Sequence, residues 1–83
     1  MMKLQVYVSD DCWTCEETRR IVADIAPRFP QVQVELLNLD AVKRPSIVFA
    51  VPTYVLNGRV IFLGNPTRAE LCLKLDLTQR QLN

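Results

Sequence analysis

Histidine is absent from this 83-residue chain. With it go the usual general base, the commonest metal ligand and every Ser–His or Cys–His nucleophilic pair. Chemistry therefore falls to carboxylates, Lys, Tyr or Cys. An excess of charge is missing too: ten Lys+Arg against nine Asp+Glu leave a formal net charge of +1. That balance excludes a nucleic-acid protein held by a basic field, and the pairs Arg19-Arg20 and Lys43-Arg44 read as solvated surface. Long apolar runs are lacking. The longest, Ile47 to Leu56, is broken by Pro52 and Thr53 and is too short to cross a bilayer. Met1-Met2-Lys3 leads directly into a strand-like pattern, without the apolar stretch of a signal peptide. The expectation is a cytoplasmic protein without membrane or nucleic-acid partners.

What is present is core material. Hydrophobic residues make up 49% of the chain and charged residues 23%, a composition that folds rather than remaining disordered. A chain of this length forms one domain and buries only about 60–65% of the surface its unfolded state exposes. Cysteine occurs three times, as Cys12, Cys15 and Cys72. An odd count with no secretory segment points to a cytosolic thiol protein and away from a disulfide framework.

The order of elements follows from periodicity. Leu4, Val6 and Val8 alternate with Gln5 and Tyr7 as a strand ending near Ser9. A helix follows the Asp10–Thr14 break, with Ile21, Val22, Ile25, Ala26 and Phe29 at helical spacing. Asp10 or Asp11 could cap it, and Thr14-Cys15-Glu16-Glu17 fits a capping box; Pro27 and Pro30 end it. Gln31 to Leu39 reads as a second strand, parallel to the first because the connection contains a helix. Pro45 opens a short helix through Phe49. Thr53–Leu56 and Arg59–Leu63 flank Asn57-Gly58, the strongest short hairpin signal. A last helix begins at either an Asn65 cap with Pro66 in first position or a Thr67–Glu70 capping box. Leu71, Leu73, Leu75 and Leu77 alternate as a strand would, but the cap signals and the Leu/Lys/Glu content favour helix. A parallel pair followed by a hairpin makes a mixed four-stranded α/β sheet.

The chemistry lies at Cys12-Trp13-Thr14-Cys15. Such a pair serves as a redox dithiol, as half a zinc site or as part of an iron–sulfur ligand set. A closed zinc site wants four Cys or His ligands, and three Cys without His count against one. A cluster bridging two chains has nothing specific in its favour. The strand-to-helix position supports the dithiol, because unpaired amides and the helix dipole stabilise a thiolate there. Cys12, the outer residue, is then the nucleophile, and Cys15, one turn inward, resolves the mixed disulfide. The Thr14 hydroxyl is a further donor to the Cys12 sulfur, whereas Asp10 and Asp11 act to raise its pKa. Trp13 forms an apolar rim for partners, its alternative being a packing residue. Cys72 reads as a small core hydrophobe on the last helix.

These features together resemble the thioredoxin superfamily, above all its short, glutaredoxin-sized members. The similarity rests on Cys12-Trp13-Thr14-Cys15 after the first strand, Val51-Pro52-Thr53 opening a hairpin and Gly64 closing it. It implies a thioredoxin-like β-α-β-short α-β-β-α fold over a single domain, residues 1–83. It also implies a cis peptide at Pro52, with Val51, Pro52 and Thr53 joining Trp13 and Thr14 in substrate binding. Val51 would pair by its backbone with an extended substrate segment. No cofactor is implied beyond a redox-active Cys12–Cys15 disulfide.

The departures from the family pattern are specific. Trp-Thr replaces the Gly-Pro of thioredoxins and the Pro-Tyr of glutaredoxins. The first strand carries no acidic residue where thioredoxins bury an Asp. Asp10-Asp11 and Gly64-Asn65-Pro66-Thr67 stand where glutaredoxins hold glutathione, which argues against that ligand. The expected function is a monomeric thiol–disulfide oxidoreductase acting on protein disulfides and recharged by an upstream reductant or reductase. The alternative is a binding or redox-sensing module that docks a partner through the Trp13/Pro52 face.

Overall fold

The computed structural model describes residues 2–82; Met1 and Asn83, the ends of the expected domain, lie outside the described residues. Strand β1 (Met2–Val8) leads into helix α1 (Cys15–Ile25), which tightens into a 3-10 turn over Ala26–Arg28. Strands β2 (Val32–Asn38), β3 (Thr53–Leu56) and β4 (Arg59–Leu63) follow, then helix α2 (Arg68–Leu82). The sheet runs β2-β1-β3-β4. β1 is parallel to β2 and antiparallel to β3, and β3 and β4 form the hairpin. Because β3 runs against β1, its first residue, Thr53, pairs with Tyr7 at the end of β1. The Val51–Pro52 approach to β3 therefore reaches the same sheet end from which the chain departs toward Cys12.

Alternation on β1 supplies two cores. Met2, Leu4 and Val6 face Ile21 and Ile25 of α1, Leu71 and Leu75 of α2, and Tyr54 and Leu56 of β3. Tyr7 points the other way, onto Val55 and Val48, with Leu37 and Leu39 against them. The hairpin tip forms as its residues require: Asn57 and Gly58 have φ of 50° and 84°, the positive region a two-residue turn of this kind needs. Asn57 also seals the tip onto β1, its N–H donating to Lys3 O at 2.9 Å and its Oδ1 accepting from Lys3 N–H at 2.9 Å.

Two competing cap signals resolve cleanly at α2. Thr67 Oγ1 accepts from the Glu70 N–H at 3.0 Å, and Glu70 Oε1 accepts from the Thr67 N–H at 2.8 Å. This reciprocal box holds the Glu70 carboxyl below its usual pKa, chiefly through the Thr67 backbone N–H. The alternating leucines sort by helical period: Leu71 and Leu75 are buried, while Leu73 and Leu77 are 59% and 46% exposed.

The expected short helix from Pro45 to Phe49 does not form. That stretch holds one turn, with the Val48 N–H donating to Pro45 O at 3.1 Å. Five residues cannot offset the cost of helix nucleation, and β-branched Ile47 and Val48 make poor helix. Burial of Val48 under the second sheet face, against Tyr7 and Val55, fixes the segment instead. Phe49 next to it is left 81% exposed.

Candidate active site

The Cys12–Trp13–Thr14–Cys15 segment closes as a turn, the Cys15 N–H donating to Cys12 O at 3.1 Å, and opens α1 with Thr14 as its N-cap. Cys12 and Cys15 are joined as a disulfide with Cα atoms 5.2 Å apart. Their surroundings differ: Cys12 is half-buried at the surface, and Cys15 is fully buried. The sulfurs lie at the amino end of α1, where first-turn N–H groups lack partners within the helix.

Thr14 does not form the capping box with Glu17. Its backbone is already helical, at φ −74° and ψ −15°, and no side-chain cap bond is made. The hydroxyl instead lies 3.3 Å from Cys12 Sγ. A disulfide sulfur carries no proton, so Thr14 is the donor in that contact. Glu17 turns outward to Arg20 and to Arg68 of α2, each at 3.6 Å.

The two aspartates before the motif leave the cap vacant as well. Asp10 accepts from Asn38 Nδ2 at 2.8 Å, while its N–H donates to Asp40 Oδ2 at 2.8 Å. These bonds tie it to the end of β2. Asp11 is exposed.

Trp13 stands 88% exposed beside the disulfide, which removes the packing alternative for it. Across the site the Val51–Pro52 peptide is cis. Val51 is half-buried, Pro52 is buried, and Thr53 is fully buried with its hydroxyl donating to Ala50 O at 2.5 Å. Among the described residues neither the N–H nor the carbonyl of Val51 has a backbone partner. The structure thus gathers Cys12, Trp13, Thr14, Val51 and Pro52 at one sheet end, and turns the Thr53 side chain inward. Cys72 is the free cysteine, partly buried against the main core.

Sequence reasoning missed what lies beneath the motif. Asn65, read as a possible cap for α2, reaches the other way. Its Nδ2 donates to Thr14 O at 2.9 Å. Its Oδ1 accepts from the Thr18 hydroxyl at 2.6 Å and from the Tyr54 hydroxyl at 2.9 Å. Thr18 and Tyr54 are themselves fully buried. Gly64, just before it at φ 83°, donates its N–H to Pro52 O at 2.9 Å, so one short loop holds both the Pro52 end and the Cys motif. Burial pushes the Tyr54 phenol up to about 12. It therefore remains a donor across the range in which thiols titrate. An Asn-Pro after a Gly carries helix-start chemistry in one dimension, and nothing in the sequence says that its side chain turns back to α1.

The family model for the thioredoxin domain matches residues 2–75. A thioredoxin of Methanocaldococcus jannaschii is 34% identical over 74 residues, covering 84% of this chain and 87% of that protein. Among solved structures, thioredoxin O2 of Arabidopsis thaliana in its oxidised state superposes with a TM-score of 0.72. That match covers 93% of this chain and 74% of the plant chain at 15% identity, a likeness that speaks for the fold.

Proposed function

We propose, from the premise that this chain belongs to the thioredoxin family and is a thiol–disulfide oxidoreductase, that Cys12 attacks and Cys15 resolves. The carrying observation is the asymmetry of the pair: Cys12 reaches the surface and Cys15 is fully buried. In the reduced protein the Cys12 thiolate attacks one sulfur of a partner disulfide. A Cys12–partner disulfide forms and the other partner sulfur leaves as thiolate. Cys15, deprotonated, then attacks the Cys12 sulfur, forming the Cys12–Cys15 disulfide and releasing the second partner thiolate. Two electrons have passed to the partner, whose two thiolates take their protons from solvent, and an upstream dithiol reductant or reductase supplies two electrons to reduce the Cys12–Cys15 disulfide again.

Protein disulfides are the substrate class. The open backbone of Val51 supports pairing with an extended substrate segment, with Trp13 as an apolar rim and Thr14 and Pro52 lining the approach. Thr53 contributes by fixing the turn, since its hydroxyl is held by Ala50. The dithiol is the redox group, with no added cofactor. The chain works as a monomer in the cytoplasm, without glutathione as a ligand. No helix among the described residues is long and apolar enough to cross a membrane.

The test is a Cys15→Ser variant incubated with a protein disulfide substrate. A stable mixed disulfide mapped to Cys12 is expected. Adducts on Cys72, or none at all alongside a wild type that reduces no accessible disulfide, would sink the assignment.

A further inference from the structure

We propose that Asn65 is a positioning residue for the dithiol: by fixing Thr14, it keeps the Thr14 hydroxyl on the Cys12 sulfur and so favours the attacking thiolate. The inference rests on Cys12 being the nucleophile and goes beyond it to a side chain that touches neither sulfur.

The geometry leaves Thr14 little freedom. Its carbonyl accepts from Asn65 Nδ2 at 2.9 Å and from the Thr18 N–H at 3.3 Å, and lies 3.2 Å from the Thr18 hydroxyl oxygen. The Thr18 hydroxyl has a single proton, and its contact with Asn65 Oδ1 at 2.6 Å is the shorter one. Asn65 is therefore the side chain that holds the Thr14 carbonyl. Asn65 is in turn oriented by its other end, where Thr18 and Tyr54 both donate to Oδ1. With two donors on that oxygen, the amide presents nitrogen to Thr14, and three of its four hydrogen-bonding positions are used. The chain of contacts runs from the buried β3 tyrosine, through the loop after β4, to the N-cap of α1 and on to the Cys12 sulfur.

The chemical consequence appears on reduction. The Thr14 hydroxyl, 3.3 Å from Cys12 Sγ in the disulfide, is placed to donate to the thiolate that replaces it. A donor to the charged form lowers a pKa. This chain has no histidine and no acidic residue on β1, so neither assists the pair.

The experiment measures the pH dependence of Cys12 alkylation in the reduced protein, with the modified cysteine identified by mass mapping, for wild type, Asn65→Ala and Tyr54→Phe. Asn65→Ala is expected to raise the Cys12 pKa by about half a unit to one unit, a part of the roughly one to two units that a full hydrogen bond to a thiolate is worth, since the Thr14 hydroxyl is loosened and not removed. Attack on a disulfide at neutral pH should slow about two- to fourfold, the smaller thiolate fraction being partly offset by its greater nucleophilicity. Tyr54→Phe, which removes one of the two hydroxyls orienting Asn65, should move the pKa in the same direction by less. Placed in a Thr14→Val background, Asn65→Ala should add no further shift. Ile25→Val, a core change at the far end of α1, should leave the Cys12 pKa where it is.

An unchanged Cys12 pKa in folded Asn65→Ala overturns the proposal, as does a full shift persisting in the Thr14→Val background. Should Asn65→Ala fail to fold, Tyr54→Phe decides alone, and an unshifted pKa there is equally fatal. Failure of the underlying mechanism looks different: wild-type Cys12 would then show an ordinary thiol pKa and reduce no disulfide.

Discussion

Removing the hydroxyl of Tyr54 should make stability depend on pH in a way that inverts the ranking of the two proteins. At neutral pH, Tyr54→Phe loses one hydrogen bond to Asn65 Oδ1 while keeping the ring packed edge-on against Phe62 at 6.2 Å. The expected cost is about 1 kcal/mol, the net worth of one such bond. In the wild type, burial holds the folded phenol at about 12 against an ordinary value of 10.0. The unfolded chain therefore releases its Tyr54 proton first as pH rises. The stability conferred by the neutral buried phenol is intact below 10 and is lost as pH climbs through the interval up to about 12. The full loss is on the order of 2–3 kcal/mol, and about half of it has gone by pH 11. The phenylalanine variant has nothing to titrate at this position. It should be the less stable protein at pH 7, match the wild type at about pH 10.5–11, and be the more stable one above that.

Urea unfolding of both oxidised proteins from pH 7 upward reads this out as the difference between their midpoints, which cancels every other titrating group. A difference that stays constant with pH would show that the Tyr54 phenol titrates alike in the folded and unfolded chains. The reasoning about a sealed network under the dithiol would then be wrong.

Two further outcomes bear on the core and on the rim of the site. Leu71→Ala should cost about 2–5 kcal/mol in chemical denaturation, since Leu71 is fully buried. Leu73→Ala, two residues on and exposed, should stay within about 0.5 kcal/mol; similar losses at both would contradict the helical reading of the leucine alternation. Trp13→Ala should leave stability within about 0.5 kcal/mol yet raise KM for a protein disulfide about fivefold, as loss of an aromatic anchor worth about 1 kcal/mol would. Reduction of a small-molecule disulfide should be unaffected, and an equal loss on both substrates would assign Trp13 to the chemistry.

The strands and helices were legible because each rests on local physics. The Asn57-Gly58 turn between two β-rich runs needs positive φ at both residues, and the hairpin falls at Thr53–Leu56 and Arg59–Leu63 as its residues indicate. The Cys pair at the end of a strand-like run, with its second member leading into an amphipathic stretch, placed the dithiol at the start of α1. The segment from Pro45 to Phe49 was not legible in this way. A proline at a helix start is a local signal, but burial of Val48 against Tyr7 and Val55 is a contact between residues far apart in the chain, and it prevailed.

The same division separates the two halves of the site. Cys12, Cys15 and Trp13 declare their chemistry through residue type and spacing, and so does Val51-Pro52-Thr53. Which hydroxyl Thr14 would spend on what was undecided: the capping box with Glu17 and the contact with Cys12 were both available. The structure chose the sulfur, since Thr14 is helical and Glu17 is drawn to Arg20 and Arg68. Asn65 shows the limit most plainly. Its neighbours Gly64 and Pro66 explain where the chain turns, but its three partners come from β3, from α1 and from the N-cap that precedes α1. Sequence alone determined that a histidine-free chain carries a dithiol at a helix start. Only tertiary packing, by bringing the buried hydroxyls of Tyr54 and Thr18 and the Thr14 carbonyl around one half-buried amide that satisfies all three, decided what holds that dithiol in place.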